Sequence, residues 1–256
     1  MKYSNPRILF IQLGVIVSFT IVFSLSIYAQ APVEVEPTPS EATPPPSEAT
    51  QAETHSGLEP ASVLLDRVQQ YYAKASDFTS DFRQTYTYHI YGRQKISTGK
   101  VYFKKPSRMR WDYEIPTRRV FVADGATLWV YEPDEAQVFK RDLSSAQLPV
   151  ALRFMRGEGK LSSDFNVEDV QLGETPESAS ITLKPKTPSP DFTHLKLVIK
   201  QKTGEVIASI LTDPTENTNR IDFVDVKVNQ DLPDSGFSFS PPEGVRVIED
   251  LKRGTP

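Results

Sequence analysis

The stretch SDFTSDFRQTYTYHIYGRQKISTGKVYFKKPSRMRWDYEIPTRRVFVADGATLWVY, Ser76 to Tyr131, decides the fold. From Phe78 onward its apolar and polar residues alternate with period two, the spacing of a half-buried strand. Thr85 to Tyr91 is rich in strand formers, Gly92-Arg93-Gln94 reads as a turn, and Val101-Tyr102-Phe103 resumes the strand. In the segment Arg108 to Tyr113, alternation puts Met109, Trp111 and Tyr113 on one face and Arg108, Arg110 and Asp112 on the other. The expected neighbours of the first set are Phe121, with Arg119 and Ala123, and one face of Thr127 to Tyr131. Both tryptophans of the chain lie here, yet nothing in the stretch brings nucleophiles or metal ligands together. It reads as apolar β-structure suited to binding rather than to chemistry.

The same pattern continues outward. Strands are expected at Arg119 to Ala123, Thr127 to Tyr131 and Gln137 to Arg141, separated by Ile115-Pro116, Asp124-Gly125 and Pro133-Asp134-Glu135, as an antiparallel meander. Further strands are expected at Phe165 to Leu172, Ala179 to Pro185, His194 to Lys200, Val206 to Thr212 and Asn219 to Asn229, with a short one near Phe237 to Ser240. Leu58 to Ala75 is the clearest helix, with Ser62 as its N-cap and Val63, Leu64, Val68, Tyr71 and Tyr72 as its apolar face. A second short helix, Leu148 to Arg156, is expected over the sheet. The fold class is therefore mainly β (α+β): about 10–11 strands in a strongly curved antiparallel sheet or incomplete barrel with helical cover. An aromatic stripe of this kind usually fills a solid core, and only sometimes walls a ligand cavity.

Before this domain come two segments that cannot contribute to a core. Residues 1–29 carry Lys2 and Arg7 followed by an apolar run from Ile8 to Tyr28, the pattern of an export signal. The run is long for a signal and approaches the length of a membrane span, so a cleaved signal peptide and an uncleaved anchor both fit. Either way the basic flank precedes it, which places the rest of the chain outside the cytoplasm. Residues 30–57 are rich in Pro, Ala, Thr, Ser and Glu and read as an acidic, extended linker, with residues 58–256 as the folded domain.

Charge and composition narrow the function. The net charge is -4 for the whole chain. Without residues 1–29 and the five linker glutamates, the domain is close to neutral, which argues against nucleic acid as a partner. There is no cysteine, hence no disulfide, thiolate metal site or lipidated cysteine. The three histidines, His55, His89 and His194, are not at metal-ligand spacing. Ser97-Thr98-Gly99-Lys100, Ser163-Asp164-Phe165 and Lys202-Thr203-Gly204 imitate the triplets of a serine acyl-enzyme of the penicillin-binding type. That chemistry requires Ser97 at the start of a helix, whereas it falls between β-forming segments, and Lys202-Thr203-Gly204 reads as a hairpin turn. Gly157-Glu158-Gly159-Lys160 lacks the strand and helix of a phosphate cradle. No cofactor is expected.

Taken in order, the first helix, Phe78-Thr79-Ser80-Asp81-Phe82-Arg83-Gln84, Gly99 to Pro106, Arg110-Trp111, Asp124-Gly125 with Leu128 to Tyr131, and Phe237 to Val245 resemble the periplasmic outer-membrane lipoprotein carrier family, LolA. The resemblance runs from about Leu58 to Asp250. It implies an incomplete β-barrel with a helical lid over an apolar cavity for lipoprotein acyl chains. It further implies a non-enzymatic, monomeric periplasmic chaperone that takes cargo from an inner-membrane lipoprotein-releasing ABC transporter and gives it to an outer-membrane receptor. Matching positions put Tyr72, Phe82, Met109, Trp111, Phe121, Val150 and Leu152 in the lipid-binding lining. Lys105 stands where well-studied members have an arginine that latches the lid, and a lysine lacks the planar fork of that group. A carrier of another lipid or a lipoprotein sensor on the same fold is the alternative function.

Overall fold

The computed structural model describes residues 58–142, 154–156 and 159–249. The export signal, the linker and most of the expected second helix, including Val150 and Leu152, lie outside the described residues.

Helix α1 (Ala61–Lys74) opens the described chain. Its N-cap is Pro60, whose fixed φ suits a helix entry, and not Ser62, which lies inside the helix and caps nothing. The buried face consists of Leu64, Leu65, Val68 and Tyr72. It is rotated by about one residue from the expected face, so Leu65 is inside and Val63 is exposed.

Six strands follow as a meander: β1 (Asp77–Tyr88), β2 (Arg93–Lys104), β3 (Arg108–Ile115), β4 (Arg119–Ala123), β5 (Thr127–Glu132) and β6 (Gln137–Asp142). The first turn falls at His89 to Gly92 rather than at residues 92–94, because Gly92 takes the positive φ that ends it and Arg93 already pairs with Tyr88. A short helix α2 (Leu161–Asp164) leads into a second meander of β7 (Phe165–Leu172), β8 (Ser178–Pro185), β9 (His194–Lys200), β10 (Val206–Thr212) and β11 (Thr218–Val228). Pairing of β1 with β11 joins the two meanders antiparallel, with Phe82 opposite Phe223.

The expected strand near Phe237 to Ser240 is absent. Asp234–Phe237 is a 3-10 turn instead, and the last strand, β12 (Arg246–Glu249), lies further on and pairs parallel with β6. Prolines at 233, 241 and 242 account for this, since a residue without an N–H cannot hold a place in a ladder. The result is one open sheet of twelve strands, in the order β12-β6-β5-β4-β3-β2-β1-β11-β10-β9-β8-β7, against the 10–11 expected.

The sheet bends where glycine permits. At Gly99 the β2–β3 register shifts, and a Cβ there would lie 2.0 Å from the Asp112 carbonyl oxygen. Only a residue with no side chain lets the two backbones approach so closely.

Candidate functional site

The inner face of the sheet is an aromatic surface on which α1 lies. Tyr72, fully buried, meets Phe154 edge-on with ring centroids 5.3 Å apart and reaches Phe78 at 6.3 Å. From Phe78 the ring contacts pass to Phe103 at 5.7 Å and then to Trp111 at 6.1 Å. Trp111 packs on Phe82 at 4.9 Å, Phe82 on Tyr113 at 4.9 Å, and Tyr113 on Phe121 at 5.6 Å. This continuity follows from strand alternation, since Phe103, Met109 and Trp111 on β2 and β3 project to the same side as Phe78 and Phe82 on β1.

Five of the residues picked from the sequence are thus brought together. Tyr72, Phe82, Met109 and Trp111 are buried, and Phe121 is partly buried against the same core. The lining picked from the sequence left out Phe78, Phe103, Phe154 and Phe223, which complete the surface together with Tyr113, whose place on the Met109 and Trp111 face alternation had indicated. For Phe78 and Phe103 the signal was available: both lie in phase with chosen residues at even spacing along their strands.

The second tryptophan is elsewhere. Val122 is opposite Trp129 while Phe121 is opposite Val130, so Trp129 and Tyr131 face the outside of the sheet. There both rings pack against Phe239 in tilted contacts at 5.7 Å, and the Lys140 ammonium sits 5.6 Å from the Trp129 ring. On this outer face the segment after β11 is tied down by polar contacts. The buried Asp77 carboxylate accepts the Gln230 N–H at 2.7 Å, and Asp234 pairs with Lys104 at 2.6 Å and Arg108 at 2.5 Å. The two cations hold the Asp234 carboxyl at about 2, through hydrogen bonds from Lys104 and then Arg108. The stretch that reads as one apolar wall in the sequence therefore serves two faces: Trp111 looks inward to α1, and Trp129 anchors a strap outside.

A few polar contacts fix α1. Lys105 Nζ donates to the Tyr72 carbonyl at 2.9 Å and the Ala73 carbonyl at 2.8 Å. It thus satisfies carbonyls of the last turn, where the helix dipole also favours a cation. Burial lowers the Lys105 pKa. At the middle of α1, Arg67 Nη1 donates to the Gln201 carbonyl at 2.7 Å and both guanidinium termini hold Glu59. Val206 N–H donates to the Tyr72 hydroxyl at 3.3 Å. Gly204, at the β9–β10 turn with φ of 79°, touches the helix backbone so closely that a Cβ would lie 2.4 Å from the Arg67 carbonyl carbon.

Reactive groups are arranged as structure. Ser97 lies inside β2, not at a helix start, and Lys202-Thr203-Gly204 forms the β9–β10 turn. Thr193, His194 and Glu168 do form a hydroxyl, imidazole and carboxylate series, at 3.0 Å and 2.9 Å. The Thr193 hydroxyl, however, donates to the Thr212 carbonyl, so its proton is not directed at the imidazole as a nucleophile's must be. His89 pairs with Glu216. Among the described residues no group of three or more His, Asp or Glu could hold a metal ion.

An open curved sheet with a helix seated on its aromatic inner face defines a β-sheet protein that encloses apolar surface. The family described as outer membrane lipoprotein carrier protein LolA matches residues 73–240. An outer-membrane lipoprotein carrier protein of Nitrosomonas europaea is 30% identical over 178 residues, 69% of this chain and 84% of the relative. One from Chromohalobacter salexigens is 31% identical over 201 residues, 78% of this chain and 90% of the relative. Among solved structures, an uncharacterized conserved protein from Thermus thermophilus aligns with a TM-score of 0.49 at 15% identity, over 74% of this chain and 99% of that one. The chain belongs to the LolA family of outer-membrane lipoprotein carriers.

Proposed function

We propose that this chain is a periplasmic, non-enzymatic chaperone that shields the acyl chains of lipoproteins between the two membranes. It receives them from an inner-membrane lipoprotein-releasing ABC transporter and passes them to an outer-membrane receptor. The observation that carries this reading is the continuous inner surface from Tyr72 through Phe78, Phe103, Trp111 and Phe82 to Phe121, covered by a helix that few polar bonds hold in place. Tyr72, Phe82, Met109, Trp111 and Phe121 form the lipid-binding surface, and Lys105 is the latch on the helix that covers it.

Physical reasoning supports the need for such a surface. Each buried acyl CH₂ is worth about 0.8 kcal/mol, so an anchor with two or three long chains does not cross an aqueous compartment unaided. An apolar lining offered by a rearranged helix replaces the bilayer for the journey. Energy for loading belongs to the transporter, with unloading following an affinity gradient. The apolar run at residues 8–28 directs export and either leaves the chain soluble after cleavage or tethers it to the inner membrane.

The test uses the full chain mixed with a detergent-solubilised triacylated lipoprotein and diluted below the detergent's critical concentration. A soluble one-to-one complex on size exclusion, with diacylglyceryl-cysteine recovered by mass spectrometry, is expected. Aggregation of the lipoprotein as in the absence of the chain would refute the reading. Recovery of a free diacyl lipid in its place would favour the alternative carrier.

A further inference from the structure

The β1–β2 hairpin ends in apolar side chains that the fold does not use. Its turn, His89 to Gly92, is closed by the Gly92 N–H donating to the His89 carbonyl at 3.3 Å, which leaves Ile90 and Tyr91 at the two central positions. They are 78% and 75% exposed, the highest values for large hydrophobic side chains among the described residues. Turn geometry asks for nothing apolar there. Gly, Asn, Asp and Ser are the usual occupants, and Gly92 already supplies the positive φ. Exposed hydrophobic residues scattered singly need no explanation, but two in succession at a hairpin tip form a patch for which folding does not account.

The tip stands clear of the sheet on one side and is held on the other. β2 pairs with β3 only from Thr98, opposite Ile115, so Arg93 to Ser97 run on past the last β2–β3 pair. At about 3.3 Å per residue that is roughly 16 Å. On the β11 side pairing continues to Thr87 opposite Thr218, and beyond it the His89 N–H donates to Asn217 Oδ1 at 2.9 Å while the His89 ring meets Glu216 at 3.0 Å. These contacts fix the turn and leave Ile90 and Tyr91 directed at solvent. The charges nearby are not balanced alike. Glu216 has His89, and the Asp213 carboxylate accepts N–H groups of Thr215 and Asn217 within its own turn. Arg93 and Lys95 are exposed and make no ion pair among the described residues.

We propose that the hairpin tip docks on a lipid bilayer, with Ile90 and Tyr91 entering its interface and Arg93 meeting lipid phosphates, Lys95 adding attraction from behind. The inference does not rest on the carrier reading and involves no cargo. Apolar side chains flanked by basic ones are the composition of interfacial anchors, and a tyrosine ring, apolar with a polar tip, suits the headgroup level. A protein partner fits the tip less well. Each side of a stable complex contributes roughly 800 Å² of matched surface, which two side chains on a convex turn do not approach, whereas a bilayer needs no matching shape. So small an anchor gives a weak, reversible contact. The tip lies at the opposite end of β2 from Lys105, so the latch on α1 then points away from the bilayer.

Because the chain has no cysteine, Tyr91→Cys can carry a polarity-sensitive dye at one site, in place of the ring. The labelled full chain is mixed with vesicles of equal parts phosphatidylcholine and phosphatidylglycerol at sub-saturating lipid. A blue shift of the dye, with quenching by brominated lipid, is expected. The readout is local, so it does not depend on whether residues 8–28 also enter the bilayer. In the labelled chain Ile90→Ser should lower the ratio of inserted to water-exposed dye about tenfold. Arg93→Gln should lower it about 5-fold. Both should leave the melting temperature unchanged. Ile115 is 61% exposed but lies behind the tip, and a dye at Ile115→Cys should stay in water. A dye at position 91 that stays in water on vesicles, an equal shift at position 115, or no effect of Ile90→Ser overturns the proposal. A shift that appears without vesicles as the protein concentration rises assigns the tip to a second copy of the chain and overturns it too. None of these results bears on the carrier reading, which stands or falls by the lipoprotein complex.

Discussion

Replacing Lys105 with leucine removes two charge-assisted hydrogen bonds to the last turn of α1, those to the Tyr72 and Ala73 carbonyls. Bonds of this type are worth about 1.5–3 kcal/mol when buried. Lys105 is only partly buried, beside an open cleft lined by Ala73, Ala75, Ser76 and Asp77, so water can replace part of what is lost. Allowing for that exposure, and for about 0.3–1 kcal/mol of helix-dipole attraction, the net loss is about 1–2 kcal/mol. It falls on the docking of α1, because the sheet strands do not depend on these bonds. The ratio of undocked to docked helix should rise about 5- to 30-fold.

Amide hydrogen exchange reads this directly. In Lys105→Leu, amides of the last two turns of α1, from Val68 to Lys74, should exchange about 5- to 30-fold faster while those of β1, β2 and β11 keep their protection. Loading of a lipopeptide should accelerate by a similar factor, since the helix is displaced more often. Lys105→Arg, which keeps a cation and several donors, should restore slow exchange. Unchanged exchange in α1, or an equal increase throughout the sheet, would refute the idea that Lys105 controls the helix.

Other perturbations separate the parts of the molecule. Gly204→Ala places a methyl group 2.4 Å from the Arg67 backbone at a left-handed φ, and should cost about 2–3 kcal/mol, lowering the thermal midpoint by about 4–12 °C in a melt followed by circular dichroism. The two tryptophans should respond differently to a brominated acyl chain: Trp111 fluorescence should be quenched on loading and Trp129 fluorescence should not, as single-tryptophan variants would reveal. Asp234, held down at about 2 by Lys104 and Arg108, stabilises the outer strap through its charged form. That contribution is complete above about pH 4, the ordinary carboxyl value, and is lost as the pH falls through about 2. Fluorine labels near Phe239 should therefore report loosening of the strap in that window and not between pH 5 and 8.

What the sequence made legible came from periodicity. Four strands have the boundaries read from alternation, Arg119–Ala123, Phe165–Leu172, His194–Lys200 and Val206–Thr212. Alternation also identified the Trp111 face. It could not say which face of a neighbouring strand is inside, since phase is set by register and register by distant pairing. Which face of Thr127 to Tyr131 joins the Trp111 face stayed open for that reason: β5 has apolar residues on both sides, Leu128 and Val130 inward, Trp129 and Tyr131 outward. β12 was missed because its pairing with β6 joins residues more than a hundred positions apart. The docking of Lys105 on α1 was suggested by resemblance, not by pattern.

The packed inner face bears on how a carrier of this family could take up and release an acyl chain. An empty lining of this size, left open to water, would forfeit roughly 25 cal/mol for each Å² of exposed apolar surface. Seating α1 on the rings removes that surface, so the inner face is closed upon itself. Aromatic contacts of this kind contribute about 0.5–1.5 kcal/mol each beyond burial, less than a long acyl chain gains on leaving water. In the proposed carrier, a chain that displaces the helix exchanges one apolar contact for another, so the free energy of loading is the difference between two apolar contacts rather than the whole transfer from water. That difference is small enough for a few polar bonds to decide it. Lys105 and Arg67 weight the closed state. On the proposed carrier function, a receptor that captured the head and let α1 settle back would recover the closed contacts, so helix closure itself would help to expel the anchor.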